Sequence, residues 1–437
     1  MSVNKVTNRI ICFYFLMVSI LMYYFITEVF EFKIHITYRH LFALVIAFSA
    51  IFCFFVKPNI ARGATSLKSA FVYSAPLLVT TTVSLLIWSI NLADFDVISR
   101  GLSGSFFFFN MLSCALAAAG MLYIFGEKGI WYNLIAILVS NLLMIAMIIL
   151  ENGIGAFLSE LITLVVTFAG ETGEVIVKAE IHELAFCLGA YLVYMCFKPK
   201  KDVVFWILLA LAAFCFVAAF KRIAIVAVVI AVVLGWGLLF INKRNSKIAF
   251  RLIQGLTIFI MVILIGYIAI IKMDVFSYLQ QAGLETSGRD TIYKVVDDFY
   301  EFSPSFMGNG IGFLTYQLNT GVASGSGVAA VHNDFLQHFI DLGFWGYIVW
   351  LASMTILRVN HFGKNGKTEN AIVVFILLVY LVVVSSTDNT MNYPLLTTVL
   401  AILMIGHGYD DRVRASEMKI FGYISDVNKK RKSRWIL

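Results

Sequence analysis

Long apolar runs separated by short polar segments make up most of this 437-residue chain. About 20 apolar residues cross a bilayer as a helix, and an open strand would leave its backbone polar groups unpaired in lipid. The pattern therefore predicts an all-α polytopic membrane protein with about twelve transmembrane helices. The predicted spans lie near residues 10–30, 41–57, 70–91, 105–125, 130–150, 182–197, 203–220, 223–242, 252–271, 337–357, 371–387 and 394–410.

Two apolar segments have the features of a membrane span and also those of another structure. The run at 10–30 follows Lys5 and Arg9, as a signal peptide would, but no small-residue cleavage site follows it. We therefore interpret it as an anchor. The run at 153–168 is short and contains Glu160. Counting it as a span would turn the basic loops after it outward, so we expect an interfacial or re-entrant helix on the outer face.

Composition and charge agree with this membrane prediction. Hydrophobic residues make up 60% of the chain and charged residues 14%, against about 25% charged in a typical soluble domain. With the N-terminus inside, 24 of the 33 Lys and Arg residues lie in cytoplasmic segments, including a basic tail at 411–437. The net charge of +7 thus reflects topology and attraction to anionic membrane lipids, and nucleic acid is not an expected partner.

One stretch, residues 273–336, is long, polar and rich in glycine. A long loop in a compact chain is commonly functional, and this one carries titratable side chains directly before an apolar span. We interpret it as an extracytoplasmic catalytic loop within a single membrane domain, 1–437. It contains Ser287-Gly288-Arg289, the run Gly308-Asn309-Gly310-Ile311-Gly312, and His332.

Residues 288–302 of this loop are predicted to form an amphipathic helix. Ser287 is placed to cap it and Pro304 to end it. Arg289 then lies in the first turn, where free N–H groups also favour an anion. The apolar stripe comprises Ile292, Val295, Val296, Phe299 and Phe302, while Asp290, Lys294, Asp297, Asp298 and Glu301 are interpreted as a solvated face.

Two further features have both a structural and a functional interpretation. The tight turn Phe220-Lys221-Arg222 joins two predicted spans, and its cations either extend to the lipid head groups or face an anionic substrate group. The glycines around Gly310 favour a turn, because the run follows no strand and opens no nucleotide-binding unit. Their backbone N–H groups are nevertheless candidate substrate contacts.

Three motifs between about 220 and 346 together resemble the O-antigen ligase/polymerase superfamily of bacterial membrane glycosyltransferases. An arginine lies at the outer turn of a hairpin (Arg222), and Ser-Gly-Arg opens the loop helix (Arg289). The third motif is His-Asn-x-x-Leu-Gln-x-x-x-x-x-Gly-x-x-Gly, from His332 to Gly346. The hairpin departs from the usual Ser-Arg pair, since Lys221 precedes Arg222.

The resemblance implies a GT-C-like membrane fold and a substrate class. The substrates would be glycans on undecaprenyl pyrophosphate, transferred on the outer face of the bacterial cytoplasmic membrane. The resemblance also implies a reaction without a metal or other cofactor. No ATP would be needed, because the glycosyl-pyrophosphate bond already holds the energy. Partners would be the lipid-linked oligosaccharide, membrane lipids, a flippase and a chain-length regulator.

Catalytic roles follow from this chemistry. The acceptor hydroxyl must lose a proton, and a histidine with an ordinary pKa of about 6.5 suits this near neutral pH. His332 is therefore the candidate base. Departing pyrophosphate gains negative charge, and arginine offers forked donors to phosphate, which makes Arg222 and Arg289 the other catalytic candidates. The candidate substrate-binding residues are Lys221, Ser287, Asn333, Asp334, Gln337 and Gly310, and of these Asn333, Asp334 and Gln337 could instead orient His332.

Several functions remain open at this point. A polymerase passes the glycan to another lipid-linked repeat unit, whereas a ligase passes it to a lipid A core. We favour the polymerase because no feature of the sequence indicates an outer membrane. A lipid-linked oligosaccharide transporter or flippase would need ionisable residues at mid-span, and these are scarce here. A peptidoglycan polymerase fits the outline of the chain, but no motif supports it.

Overall fold

The computed structural model describes residues 9–10, 13–14, 38–56, 58–90, 112–167, 182–198, 202–219, 221–281, 288–319, 323, 328, 330–363 and 368–419. Helices account for all the regular secondary structure of these residues, as predicted. The described helices in the first half are α1 (Tyr38–Val56), α2 (Ile60–Tyr73), α3 (Ala75–Ile90), α4 (Leu112–Phe125), α5 (Lys128–Asn152), α6 (Ile154–Thr167), α7 (His182–Cys196) and α8 (Val203–Ala218). Those in the second half are α9 (Arg222–Arg244), α10 (Ser246–Lys272), α11 (Val275–Gln281), α12 (Arg289–Val296), α13 (Phe313–Asn319), α14 (Asp334–Gly363), α15 (Thr368–Ser385) and α16 (Pro394–Gly406).

The lengths of these helices support a multi-pass membrane protein. Among the described residues, α5, α9, α10, α14 and α15 are long and apolar enough to cross a bilayer, and α2 with α3 makes a sixth candidate bent by 52°. Shorter apolar helices coincide with the other predicted spans, except the one at 10–30, which lies largely outside the described residues. The total of twelve spans remains a prediction.

Helix α15 lies at the centre of the bundle. Of its most apolar stretch 72% is buried, against 28% for α9 and α10, which expose apolar side chains as lipid-facing helices do. Helix α9 packs along α15 and buries the small residues Ala224, Ala227, Ala231 and Gly235. Small residues let helix backbones approach closely in membranes. At Gly235 a Cβ atom would lie 2.3 Å from the ring of Phe197, which follows α7, and 3.0 Å from Ile376 of α15, so the close packing of α9 here favours glycine.

The glycine run of the long loop lies against a kink in α14. Gly343 has a φ of 70° inside that helix, and a Cβ at Gly308 would lie 2.3 Å from the Gly343 nitrogen. The Gly310 N–H donates to the Asp341 carbonyl at 2.7 Å. Only glycine allows this positive φ together with such close backbone contact. The run therefore fixes the loop on α14.

The predicted loop helix is present but shorter than expected. Helix α12 ends at Val296, and a 3₁₀ turn at Asp297–Phe299 follows it. Gly288, with a φ of 74°, precedes the helix, whereas the predicted cap Ser287 lies outside the described residues. The prediction of a solvated face was wrong for Asp290, which is only 4% exposed.

The ambiguous run at 153–168 forms helix α6 beside α5. It buries Phe157 and Leu164 on one face and exposes most of its other apolar side chains. This pattern fits an apolar environment along its outer side. Its expected interfacial or re-entrant position remains a prediction.

Candidate functional site

Several of the predicted site residues contact a turn between α15 and α16. The turn includes Thr387, Asp388 and Asn389, and a 3₁₀ segment at Thr390–Asn392 follows it. The hairpin turn at Lys221, helix α12 and the start of α14 all make contacts with these residues. Segments far apart in sequence are thus joined at one end of the bundle.

His332 faces the Asp388 carboxylate. Its Nδ1 lies 3.7 Å from Asp388 Oδ1, and 55% of its side chain is exposed while only 10% of the Asp388 side chain is. The backbone of His332 is left-handed, with a φ of 51°, which side chains other than glycine adopt rarely. The imidazole is therefore accessible to a substrate on one side and held beside a carboxylate on the other.

The Asp388 carboxylate is surrounded by one cation and two hydrogen-bond donors in addition to His332. The Lys221 Nζ lies 3.9 Å from its Oδ2, the Asn389 N–H donates to Oδ1 at 2.8 Å, and the Tyr393 hydroxyl donates to Oδ1 at 3.2 Å. Burial by itself would raise the pKa of Asp388. The contacts with His332, the Asn389 N–H and the Lys221 charge outweigh burial and hold this pKa below its ordinary value. Asp388 is thus a carboxylate at neutral pH.

Arg289 is attached to the neighbouring residue of the same turn. Its Nη2 donates to the Thr387 carbonyl at 3.1 Å, and its buried Nε has no hydrogen-bond partner among the described residues. The contact holds the N-terminus of α12 against the turn. Two predicted catalytic residues, Arg289 and His332, are therefore bound to adjacent residues, Thr387 and Asp388.

Arg222 is at the same end of the bundle but does not contact Asp388. It is the first residue of α9 and its side chain is exposed. The preceding residue, Lys221, makes the ion pair instead. The predicted substrate-binding residue Lys221 thus lies inside the cluster, and Arg222 lies at its edge.

Asn333 and Asp334 are buried below His332. Asn333 is 0% exposed, and its Oδ1 caps α14 by accepting the N–H groups of Phe335 and Leu336. Its Nδ2 donates to the hydroxyls of Tyr293 at 3.0 Å and Tyr267 at 3.3 Å. These contacts connect α14 to α12 and α10. Their burial favours positioning over contact with sugar.

Asp334 fastens the start of α14 to the same turn from below. It is 1% exposed, and its Oδ2 accepts the Met391 N–H at 2.9 Å and the Thr390 hydroxyl at 3.3 Å. Gln337, one turn further along the helix, is half-buried. The structure therefore brings Asp334 to the site as a structural support for the turn.

The remaining predicted contacts lie elsewhere. Gly310 packs on the Trp88 ring and on Asp341, and Asp341 is nine residues after His332, which is about 13 Å along a helix. The fold thus does not bring Gly310 to the His332 cluster. Ser287 lies outside the described residues.

Sequence reasoning missed Asp388, Tyr267 and Tyr293. The two tyrosines lie within helical patterns that predict packing, so no pattern marked their hydroxyls. Asp388 had a usable signal, because the polar run Ser385-Ser386-Thr387-Asp388-Asn389-Thr390 separates two predicted spans on the side of the long loop. No cluster of three or more metal-ligating side chains occurs among the described residues, and metal independence remains a prediction.

A helical membrane protein with a histidine, a carboxylate and cations at one end of its bundle has the groups needed for transfer to a hydroxyl. The family model described as O-antigen ligase matches residues 207–351. This segment contains His332, Arg289, Arg222 and Lys221. The resemblance to the O-antigen ligase/polymerase superfamily that the motifs predicted is therefore confirmed over residues 207–351, about a third of the chain.

The match indicates the activity only coarsely. The family carries out O-antigen ligase or polymerase-type transfer on lipid-linked oligosaccharides, and it does not support the flippase alternative. A search of curated proteins finds no match to the chain.

Proposed function

We propose that this protein is a polysaccharide repeat-unit polymerase with a GT-C-like fold. It moves a glycan from undecaprenyl pyrophosphate to the acceptor sugar of another lipid-linked repeat unit. The reaction takes place on the outer face of the cytoplasmic membrane and uses no metal. The observation that supports this best is the convergence of His332, Lys221 and Arg289 on Thr387 and Asp388.

The proposed step is a single displacement in which every proton and electron pair is placed. The acceptor hydroxyl transfers its proton to His332 as its oxygen forms a bond to the anomeric carbon. The bond between that carbon and the phosphate oxygen breaks, and undecaprenyl pyrophosphate leaves with the electron pair. General-base catalysis of this kind contributes about 10²–10⁴-fold.

Asp388 acts on His332 and not on the substrate. Because Nδ1 faces the carboxylate, the neutral imidazole carries its proton on Nδ1 and leaves Nε2 free to accept the proton of the hydroxyl. The carboxylate then stabilises the imidazolium that forms. Asp388 is therefore a positioning residue in this mechanism.

The cations bind the leaving pyrophosphate. One Arg289 nitrogen is held by the Thr387 carbonyl, which orients the guanidinium and leaves its other N–H groups available. Arg222 is exposed beside Lys221 and supplies a second guanidinium at the rim. These groups accelerate the reaction to the extent that they bind the departing group more strongly than the bound substrate.

A ligase is the second candidate, because the matching family model is described as O-antigen ligase. The polymerase is preferred because no feature of the sequence indicates an outer membrane. A polymerase of this type would receive its substrate from a flippase and act with a chain-length regulator.

The test uses purified protein in lipid nanodiscs with a defined undecaprenyl-pyrophosphate repeat unit, with and without a lipid A core acceptor. A polymerase makes oligomers of the repeat unit in both mixtures, whereas a ligase makes product only when the core is present. His332→Gln should abolish transfer, while Arg251→Gln, which removes an exposed cation from the opposite end of α10, should not. Transfer by His332→Gln at the wild-type rate would reject His332 as the base.

A further inference from the structure

A partly open cavity of about 80 Å³ lies between the α2–α3 break and helices α14, α15 and α16. Apolar side chains such as Leu77, Leu381 and Leu400 form most of its wall. Arg358, Ser74 and His338 also line it, each less than 10% exposed. A water molecule needs roughly 10–15 Å³ of such space, so the cavity has room for several waters or one small anion.

Arg358 is a buried cation that has no carboxylate partner among the described residues. Its Nε and Nη2 both donate to the Tyr73 carbonyl, at the point where α2 ends, and its guanidinium lies 4.1 Å from the centre of the Tyr73 ring. Arginine has five N–H donors, so three of them have no acceptor among the described residues. None of the described residues that line the cavity is acidic. An uncompensated charge in a membrane protein interior is costly unless a counter-charge is bound.

Ser74 points to the same conclusion independently. Its side chain is 4% exposed and its Oγ has no hydrogen-bond partner among the described residues. A buried hydroxyl without a partner destabilises a fold, and such groups are rare in native proteins. Arg358 and Ser74 therefore present a cation and an unused hydroxyl donor at one end of the same cavity.

We propose that this cavity is an anion-binding site in which Arg358 and Ser74 hold a phosphate or carboxylate group. The planar guanidinium matches the geometry of such an oxyanion, and the serine hydroxyl supplies another donor. The oxyanion is either a free ion or the head group of an anionic lipid whose chain follows the apolar wall. Thr390 and Met391, which follow Asp388 in the turn, also line this cavity, whereas Arg358 and Ser74 do not belong to the His332 cluster. The proposal does not depend on the proposed transferase activity.

The experiment measures thermal unfolding of the purified full-length protein as inorganic phosphate is added. A bulky organic sulfonate keeps the ionic strength constant. In the wild type the Tm should rise and saturate, because a ligand that binds only the folded state stabilises it. Arg358→Gln should lose this response. Ser89→Ala, which removes an exposed hydroxyl bonded to its own helix, is the control and should respond as the wild type does.

Ser74→Ala is the second variant and keeps the cation. Removing a hydroxyl that has no protein partner should leave the fold intact, yet it should raise the phosphate concentration needed for half the Tm shift several-fold. An unchanged half-point in this variant would contradict the role of Ser74, and an equal response in Arg358→Gln would overturn the site.

Native mass spectrometry distinguishes the two sources of the anion. A retained anionic phospholipid that is lost in Arg358→Gln would identify a lipid head group, and the wild type would then be insensitive to phosphate. A phosphate response without a lipid adduct would identify a free ion. The absence of both would reject the proposal.

Discussion

Replacing Asp388 by asparagine tests whether the carboxylate supports His332 in the reaction. The substitution keeps the shape of the side chain and an oxygen that can accept from the Asn389 N–H, but it removes the negative charge. Two unit charges at 3.7 Å interact by about 4 kcal/mol at an effective dielectric constant of about 20. Because 55% of the His332 side chain is exposed, water screens the pair, and we expect about 1–2 kcal/mol.

That energy corresponds to a rate about 5 to 30 times lower, since 1.4 kcal/mol is about tenfold. The assay is the initial rate of repeat-unit transfer in nanodiscs, together with binding of the lipid-linked donor, which should change little. Asp410→Asn is the control, because Asp410 pairs with Arg62 at another site. In a His332→Gln background, Asp388→Asn should have little further effect, as expected of residues that act together.

A wild-type rate in Asp388→Asn would refute this reasoning, and so would a loss of rate that only reflects weaker donor binding.

The pH dependence of stability gives a further check. The folded-state pKa of Asp388 lies below its ordinary value, so its contribution to stability is complete above the unfolded value and is lost as the pH falls through the folded one. The difference in Tm between wild type and Asp388→Asn should shrink as the pH falls below about 4.

Three further predictions concern the surroundings of His332. Arg289→Ala should reduce polymer by about 10²-fold or more, as loss of an electrostatic donor typically does, and Arg289→Lys should restore it only in part, measured at matched protein level. Asn333→Ala should lower the free energy of unfolding by about 2 kcal/mol in denaturant titrations, because it removes a helix cap and the bonds to two tyrosine hydroxyls. A cysteine at Ser305, an exposed residue of the long loop, should react with an impermeant thiol reagent on intact cells, and labelling only after lysis would place the loop inside.

The helices were largely predictable, because the length of each apolar run and the spacing of its apolar residues reflect the solvent that surrounds that segment. The same reasoning placed Lys221, Arg289 and His332 on one side of the membrane. It could not show that they meet, because the order of spans along the chain assigns each loop to one side of the membrane but does not tell which loops on that side contact one another. The contacts are set by which helices pack together, and the small residues that α9 buries, such as Ala227 and Gly235, carry no functional signal.

Asp388 and Asn333 illustrate this limit from opposite directions. Asp388 was missed because a single acidic residue in a short turn is ordinarily a solvated group. Asn333 was predicted, but its polar side chain suggested sugar binding or orientation of His332. In the structure it is fully buried and holds α14 to α10 and α12. Burial, which the sequence does not report for an isolated polar residue, changes the expected role of both.

The left-handed backbone of His332 allows an experiment that separates backbone strain from the catalytic role of the imidazole. A φ of 51° costs a residue with a Cβ about 1–2 kcal/mol, and the next residue, Asn333, is fixed by its bonds to the Asn389 side chain and the first turn of α14. The strain is thus held by buried contacts, and the imidazole faces Asp388 before any substrate arrives. The free energy of unfolding of His332→Gly should be about 1 kcal/mol higher than that of His332→Ala, because glycine adopts this conformation without a steric penalty. Both variants should lose transfer equally, since neither has a base. Equal stabilities in denaturant titrations would mean that the loop relaxes when the imidazole is removed, and the orientation of His332 would then depend on its contact with Asp388 rather than on the backbone.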